Sequence, residues 1–206
     1  ASEFRYRDPA IHAGDMGLFI SQSGETADTL ASCELCLEHK IKAVSIVNTE
    51  GSTLYRNCHH NLLIKAGVEI GVASTKAFTQ QVLTGFLLSQ AMRGEIDEKI
   101  FEKEFNLLAE RIEDILKHEE DIKNIAGQVY HYKGFIFTGR GAYFPIALEG
   151  ALKLKEIAYV HAEGYAAGEL KHGPIALIDD QMVNLSIVTP DLYDKTFSNT
   201  EEVKAR

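Results

Sequence analysis

Long apolar runs are absent from this sequence. None approaches the ~18 residues that a membrane-spanning helix needs, and the N-terminal residues do not have the pattern of a signal peptide. We therefore expect no membrane partner and a cytoplasmic location. The chain does not begin with methionine, so we also expect it to be a piece of a longer protein.

Cysteine is scarce as well, with only Cys33, Cys36 and Cys58 present. Cys33 and Cys36 have the C-x-x-C spacing. They lie within a helical pattern, however, and no second pair is present to complete a metal site. We predict reduced cysteines that pack in the core, and no bound metal.

Positive charge is in short supply. The sequence has 21 Lys and Arg against 30 Asp and Glu, which gives a formal net charge of −9. This balance disfavours binding to nucleic acid or to an anionic membrane. Local hydrogen-bond donors would have to hold an anionic substrate against the overall field. The 206 residues, with 45% hydrophobic and 25% charged residues, suffice for one large globular domain or two small ones.

Residues 18–26 are the most informative stretch. The apolar residues 18–20 predict the end of a buried parallel strand, and a helical pattern follows over residues 26–39. Gly24, in the loop between them, permits a positive φ or a close approach of another backbone. The loop also carries four hydroxyl or amide donors, which are Ser21, Gln22, Ser23 and Thr26.

A strand, a short polar loop and a helix together form a natural anion site. The first helical turn leaves backbone N–H groups unpaired, and the helix dipole adds partial positive charge there. The loop contains no Lys or Arg, so neutral donors would hold a phosphate. It matches neither the P-loop nor the dinucleotide fingerprint. From the residues alone, an ordinary strand-to-helix turn is an equally acceptable interpretation.

Strand and helix patterns alternate through the first half of the chain. The first predicted strand ends with residues 18–20, and the next two cover residues 43–48 and 62–66. A short helical segment is predicted before the third strand. This order predicts right-handed crossovers and an open parallel sheet of the α/β class. A second glycine-containing loop, residues 67–74, leads into a long apolar helix over residues 75–92. Ser74 is its predicted N-cap.

The opening pattern returns in the second half. Residues 95–130 are charged and helical, and then the apolar residues 134–137 lead into Thr-Gly-Arg-Gly, with Pro145 at an early helical position. The further predicted elements are a helix over 145–159, a strand over 181–189 and a helix over 191–206. We therefore predict two related α/β halves joined by helices, with boundaries at residues 1–94, 95–130 and 131–206.

Glu156 is the candidate acid/base. Aldose–ketose isomerisation moves a proton between adjacent carbons, and a positioned carboxylate suits that task. Lys153 lies three residues earlier on the same helical face, where it could stabilise a developing oxyanion. The alternative is that the two side chains simply form a surface ion pair.

His172 is the second candidate. It stands in Lys-His-Gly-Pro, which indicates a turn, and a histidine there can move the protons that sugar ring opening requires. A histidine that merely caps the turn fits the residues equally well.

Four motifs in this chain resemble one family. They are Ser-Gln-Ser-Gly-Glu-Thr-Ala-Asp-Thr at 21–29, Gly-Val-Ala-Ser-Thr-Lys-Ala-Phe-Thr at 71–79, Ala-Leu-Glu-Gly-Ala-Leu-Lys-Leu-Lys-Glu-Ile at 147–157 and Ala-Gly-Glu-Leu-Lys-His-Gly-Pro at 167–174. Their order and identity resemble the isomerase domains of the glucosamine-6-phosphate synthase family. The first motif alone resembles the phosphate loop of sugar isomerase (SIS) domains in general. The resemblance implies two SIS-type open parallel-sheet halves, flavodoxin-like and three-layered (αβα).

The resemblance also implies a reaction and a site. The family converts fructose 6-phosphate and glutamine-derived ammonia to glucosamine 6-phosphate, without a metal or organic cofactor. The matching positions imply phosphate binding by Ser21, Gln22, Ser23 and Thr26, and sugar contacts from Val72 and Ser74. They imply that Glu156 is the isomerisation acid/base, with Lys153 beside it, and that His172 serves ring opening. In family dimers this histidine reaches into the neighbouring site, so a homodimer is expected.

The sequence departs from the complete family pattern. It has no glutaminase domain, no Cys-Gly-Thr-Ser sugar loop before Ala1 and no lysine-bearing tail after Arg206. We expect this polypeptide to be inactive or impaired as a synthase while it still binds phosphosugars. Two alternatives stay open: a phosphosugar aldose–ketose isomerase that uses no ammonia, and a non-catalytic SIS regulator that only binds a phosphosugar.

Overall fold

Six parallel strands in two separate sheets organise the chain. The computed structural model describes all residues from 1 to 206, and these divide into two compact units, residues 1–102 and 103–206. Each unit contains one three-stranded sheet in which all strand pairs are parallel. The predicted α/β class with two parallel-sheet halves is confirmed. The domain boundaries proposed from the sequence stay a prediction.

The first unit follows the predicted order of strand, helix, strand, short helix and strand. Its elements are β1 (Met16–Ser21), α1 (Ala27–Glu38), β2 (Lys42–Val47), α2 (Thr53–Asn57), β3 (His60–Leu63) and α3 (Lys76–Arg93). The sheet order is β1-β2-β3, so β2 is the central strand. Its residues 43–47 are all buried, which explains why this strand is an almost continuous apolar run.

The core of the first unit lies between its sheet and α1. Phe19 and Leu54 pack there together with all three cysteines, which are free and buried. The Sγ atoms of Cys33 and Cys58 lie 3.8 Å apart. Burial raises the pKa of the Cys33 thiol to about 12, so this side chain is protonated at neutral pH and packs as a small apolar group.

Two exposed helices follow α3. The long helix ends where the sequence predicts, because Gly94 adopts the left-handed conformation with φ of 72°. The segment predicted to be helical forms α4 (Glu98–Leu116) and α5 (Glu119–Val129), neither of which has a buried residue. No helix of the chain is both long enough and apolar enough to cross a membrane.

The second unit repeats the parallel arrangement with a different strand order. Its elements are β4 (Gly134–Gly139), α6 (Phe144–Ala158), β5 (His161–Ala166), β6 (Met182–Ser186) and α7 (Tyr193–Lys204). The sheet order is β5-β4-β6, which places β4 at the centre. The predicted Pro145 lies in the first turn of α6.

Strand β5 is the element that sequence reasoning missed. Its sequence, His-Ala-Glu-Gly-Tyr-Ala, alternates small residues with larger polar ones and lacks the β-branched run that marks a strand. The structure gives the reason, because a Cβ atom on Gly164 would lie 2.7 Å from the Cα atom of Leu148 in α6. The backbone of α6 therefore approaches β5 too closely for any larger side chain. The third strand was also misplaced, since β3 covers residues 60–63 rather than 62–66.

We predict that Gly164→Ala destabilises the second unit by about 1–3 kcal/mol, the usual cost of overpacking. The added methyl group would force α6 away from β5, because the clashing atoms belong to the backbone. Urea denaturation followed by circular dichroism measures the effect. Gly127→Ala in α5 is the control, because its Cβ meets nothing within 4 Å and alanine favours a helix by up to ~1 kcal/mol. Equal stability of Gly164→Ala and the wild type would contradict the close packing.

Candidate functional site

The predicted phosphate loop connects β1 to α1. Ser21 is buried, and its Oγ atom accepts a hydrogen bond from the Gly24 amide at 3.0 Å and lies 3.3 Å from Oγ1 of Thr26. The hydroxyl of Ser23 accepts a hydrogen bond from the Glu25 amide at 3.2 Å. These contacts fold the loop back on itself at the carboxyl end of β1, where open α/β sheets bind their ligands.

Helix α2 holds this loop from the other side. The Oε1 atom of Glu25 accepts a hydrogen bond from the Thr53 amide at 2.8 Å, and the Gly24 carbonyl accepts one from the Leu54 amide at 3.0 Å. Gly24 has φ of +69°, and a Cβ atom there would lie 2.1 Å from Oγ of Ser52. Only glycine fits this position. The carboxylate of Glu25 is thereby tied to the α2 start.

The start of α1 is left open for an anion. Thr26 is the N-cap residue, but its side chain makes no capping hydrogen bond. The amides of the first turn therefore have no side-chain acceptor, and the helix dipole leaves partial positive charge beside them. Gln22 and Ser23 are only half-buried, so their side chains are accessible to a ligand.

A cavity of about 600 Å³ adjoins the loop. It is open, and Lys65 is the basic residue in its wall. The lining residues are Gln22, Asn48, Thr49, Glu50, Lys65, Gly67, Val68 and Glu69. A second cavity of about 610 Å³ lies along β1 and the N-terminal segment, and none of the predicted site residues lines it.

The second glycine loop lies between β3 and α3. Val72 is 93% exposed and Ser74 is half-buried. The prediction that Ser74 is the N-cap of α3 is wrong, because Thr75 occupies that position. The capping acceptor is Glu69, whose carboxylate accepts hydrogen bonds from the Thr75 amide at 3.4 Å, the Ala77 amide at 3.2 Å and the Ser74 hydroxyl at 3.3 Å.

The charge on Glu69 is stabilised by this cap. Burial acts to raise the pKa of Glu69, but the amides of Thr75 and Ala77 and the hydroxyl of Ser74 outweigh it and lower the pKa. An ionised carboxylate at the start of α3 also interacts favourably with the helix dipole. The loop that carries Val72 and Ser74 is thus fixed at its far end.

In the second unit, α6 brings three charged side chains together. Nζ of Lys153 lies 2.6 Å from Oε2 of Glu156 and 3.4 Å from Oε1 of Glu149. Partial burial acts to lower the pKa of Lys153, but the two carboxylates outweigh it and raise the pKa. The predicted Lys153–Glu156 pair therefore exists, and its half-buried lysine is a permanent cation between two acids.

His172 lies elsewhere in the second unit. It is exposed at the end of a short 3₁₀ helix, Ala167–His172, where Gly173 turns the chain with φ of 142°. The predicted turn is confirmed, while its role in ring opening stays a prediction. No group of three or more His, Cys, Asp or Glu side chains is placed to hold a metal ion.

Comparison with known proteins identifies the family. Residues 1–89 and 129–206 match the SIS domain. The chain belongs to the SIS domain family. It is 49% identical over 215 residues to the glutamine–fructose-6-phosphate aminotransferase (isomerizing) of Bartonella quintana, and 49% identical over 213 residues to that of Bacteroides thetaiotaomicron. Each match covers 100% of this SIS chain but only 35% of the relative.

A solved structure agrees with these relatives. The C-terminal domain of glucosamine-fructose-6-phosphate aminotransferase from Francisella tularensis superposes on this SIS chain with a TM-score of 0.92 at 43% identity. The match covers 100% of this chain and 60% of that one. The chain thus corresponds to the SIS isomerase-domain portion of its relatives and spans about a third of their length.

Three functional side chains escaped the sequence reasoning. Glu25 and Glu69 hold helix starts, and Asn48 bonds to the segment after β3. Glu69 lies six residues before the N-cap Thr75, outside the spacing of the capping box, so a local rule does not indicate it. Glu25 and Asn48 bond to residues 28 and 18 positions away, and nothing in the local pattern indicates such partners.

We predict that the charge of Glu25 stabilises the loop only above acidic pH. The Thr53 amide lowers the pKa of Glu25 below its ordinary 4.5, so the stabilisation is present above that value and is lost as the pH falls through the folded-state pKa. Glu25→Gln keeps an acceptor for Thr53 but removes the charge. Its melting temperature should lie below that of the wild type at pH 7, and the gap should shrink below pH 4.5.

Glu104→Gln, on an exposed face of α4, is the control and should show no such pH-dependent gap. A gap for Glu25→Gln that is constant from pH 7 to pH 3 would contradict the assignment.

Proposed function

We propose that this chain is the sugar isomerase portion of a protein that makes glucosamine 6-phosphate from fructose 6-phosphate and glutamine-derived ammonia. The observation that carries the proposal is the open start of α1, beside a loop of hydroxyl and amide donors. The relatives are named as aminotransferases that act on glutamine and fructose 6-phosphate. A sugar phosphate combines an anion for the helix start with hydroxyls that could bond to Gln22, Asn48 or Lys65 in the adjoining cavity.

The phosphate would bind at the α1 start. Its oxygens would accept hydrogen bonds from the first-turn amides and from the side chains of Ser21, Gln22, Ser23 and Thr26. Because the loop has no cation of its own, binding rests on these neutral donors and on the helix dipole. The cavity beside Gln22 would take the sugar, with Val72 and Ser74 on the loop that follows β3.

The proton transfer would belong to Glu156. In the proposed reaction ammonia first adds to the C2 carbonyl of the open-chain sugar and water leaves, which gives an imine. The Glu156 carboxylate then removes a proton from C1 while the imine nitrogen gains one, and it returns its proton to C2 as the C1 hydroxyl loses its proton and becomes the aldehyde. Lys153 holds this carboxylate at 2.6 Å and offers positive charge to the oxygen on which negative charge develops. Glu149, 3.4 Å from the same ammonium, keeps the lysine charged.

His172 would open the sugar ring by moving a proton between the ring oxygen and the anomeric hydroxyl. Its exposure at the end of a short helix suits a residue that completes a site in a second copy of the chain. We therefore include in the proposal a homodimer in which each His172 serves the neighbouring site.

We predict that Ser23→Ala weakens the binding of fructose 6-phosphate by about 1.5–3 kcal/mol, which is the contribution of one hydrogen bond to a charged group and about 10–100-fold in Kd. Calorimetric titration measures the change. Ser89→Ala, on the exposed side of α3, removes the same hydroxyl elsewhere in the first unit and should bind like the wild type. An unchanged Kd for Ser23→Ala would count against the phosphate loop.

We predict that Glu156→Gln abolishes isomerisation in the full-length protein while the Kd for fructose 6-phosphate stays within about threefold, since the phosphate contacts lie in the other unit. Product formation is measured with and without ammonium, and Glu110→Gln on α4 is the matched control. Normal turnover of Glu156→Gln would rule out the acid/base role. An aldose phosphate formed without ammonium would instead indicate an isomerase that does not use ammonia.

A further inference from the structure

Asn48 lies between the two loops of the candidate site. It directly follows the central strand β2, and its backbone amide donates a hydrogen bond to the Gln22 carbonyl at 3.2 Å. This contact attaches the end of β2 to the phosphate loop. Because it uses only the main chain, it survives any substitution of the side chain except proline.

The side chain of Asn48 attaches the other loop. Its Nδ2 atom donates to the Gly67 carbonyl at 2.7 Å, and its Oδ1 atom accepts from the Ala66 amide at 2.9 Å. The backbone pairing between β2 and the segment after β3 ends at the hydrogen bond from the Ile64 amide to the Val47 carbonyl, 3.1 Å long. The carboxamide then takes the place of the next peptide group in this pairing.

The chain turns immediately beyond this contact. Gly67 has φ of +71°, and the loop that carries Val72 and Ser74 begins there. Glu69 fastens the other end of the loop to the start of α3. The cavity of about 600 Å³ is lined by Gln22 of the phosphate loop, by Gly67 and Val68 of the second loop, and by Asn48.

We propose that Asn48 is a positioning residue that sets the separation of the two loops and thereby makes the site select a sugar phosphate over inorganic phosphate. The inference rests on the proposed function. The side chain of Asn48 bonds to the start of the second loop, which would contact the sugar. Only the main chain of Asn48 bonds to the phosphate loop. Loss of the side chain should therefore affect only ligands that reach across the cavity.

The test compares two ligands in four forms of the chain. Fructose 6-phosphate and inorganic phosphate are titrated calorimetrically into the wild type, Asn48→Ala, Asn48→Asp and Asn61→Ala. The aspartate is isosteric, keeps the acceptor for the Ala66 amide and replaces the donor to Gly67 by an oxygen. Asn61, on β3 of the same sheet, is the matched control, since its carboxamide also makes two hydrogen bonds, one from the Ser45 hydroxyl and one to the Tyr55 carbonyl of α2.

The ratio of the two dissociation constants is the readout. Both Asn48 variants should lose about tenfold in preference for fructose 6-phosphate, as expected for one or two lost hydrogen bonds, while their Kd for inorganic phosphate stays within about twofold. Asn61→Ala should lower the melting temperature but keep the wild-type ratio. A merely structural role for Asn48 would move both ligands together, as a general loss of stability does.

Amide hydrogen exchange provides the second measurement. Exchange of residues 66–74 should speed up in Asn48→Ala, and the Ala66 amide should stay protected in Asn48→Asp. If the alanine variant does not fold, the aspartate variant alone tests the positioning role. Unchanged selectivity in both Asn48 variants would overturn the positioning role and leave the proposed function intact. A wild type that binds neither ligand would overturn the proposed function itself.

Discussion

The first turn of α1 is the feature on which the proposed site depends. Its backbone amides follow the loop after β1, an edge strand whose Leu18 and Ile20 are exposed rather than buried as the sequence predicts, and no side chain caps them. Such a start attracts an anion through its amides and the helix dipole, and the loop itself contains no lysine or arginine. This matters in a chain with a net charge of −9, where the long-range field opposes an anionic ligand and only close, oriented donors can overcome it.

The rest of the first unit keeps this helix start in a fixed position. Gly24 packs against Ser52 too closely for a side chain, and the start of α2 takes the carbonyl of Gly24 and the carboxylate of Glu25. Glu25 carries the only negative charge in the loop, and its hydrogen bond from the Thr53 amide holds that charge at the start of α2. The side chain of Asn48 then fixes the start of the second loop through hydrogen bonds to Ala66 and Gly67. The donors are therefore set before a ligand arrives, which lowers the entropic cost of binding.

The sequence predicts features that follow from local patterns. The β1–loop–α1 unit, the stop at Gly94 and the Lys153–Glu156 pair all depend on neighbouring residues, and the structure has each of them. It does not predict features that depend on distant partners. Strand β5 contains Gly164 where the backbone of α6 lies against it, and the Asn48 side chain rather than a peptide group bonds to the Ala66 amide beyond β3. The cap on α3 comes from Glu69, five residues before the expected Ser74. The loop folds back so that Glu69 reaches the helix start, whereas the local rule considers only the residue next to the helix.

The central claim is that neutral donors at the start of α1 hold the phosphate of a sugar ester. A crystal structure of this chain with fructose 6-phosphate at saturating concentration tests it most directly. The account predicts phosphate oxygens within hydrogen-bond distance of the α1 first-turn amides and of the Ser23 and Thr26 hydroxyls, with the sugar extending into the cavity beside Gln22. A phosphate bound elsewhere, or a loop that stays empty at saturation, would contradict it.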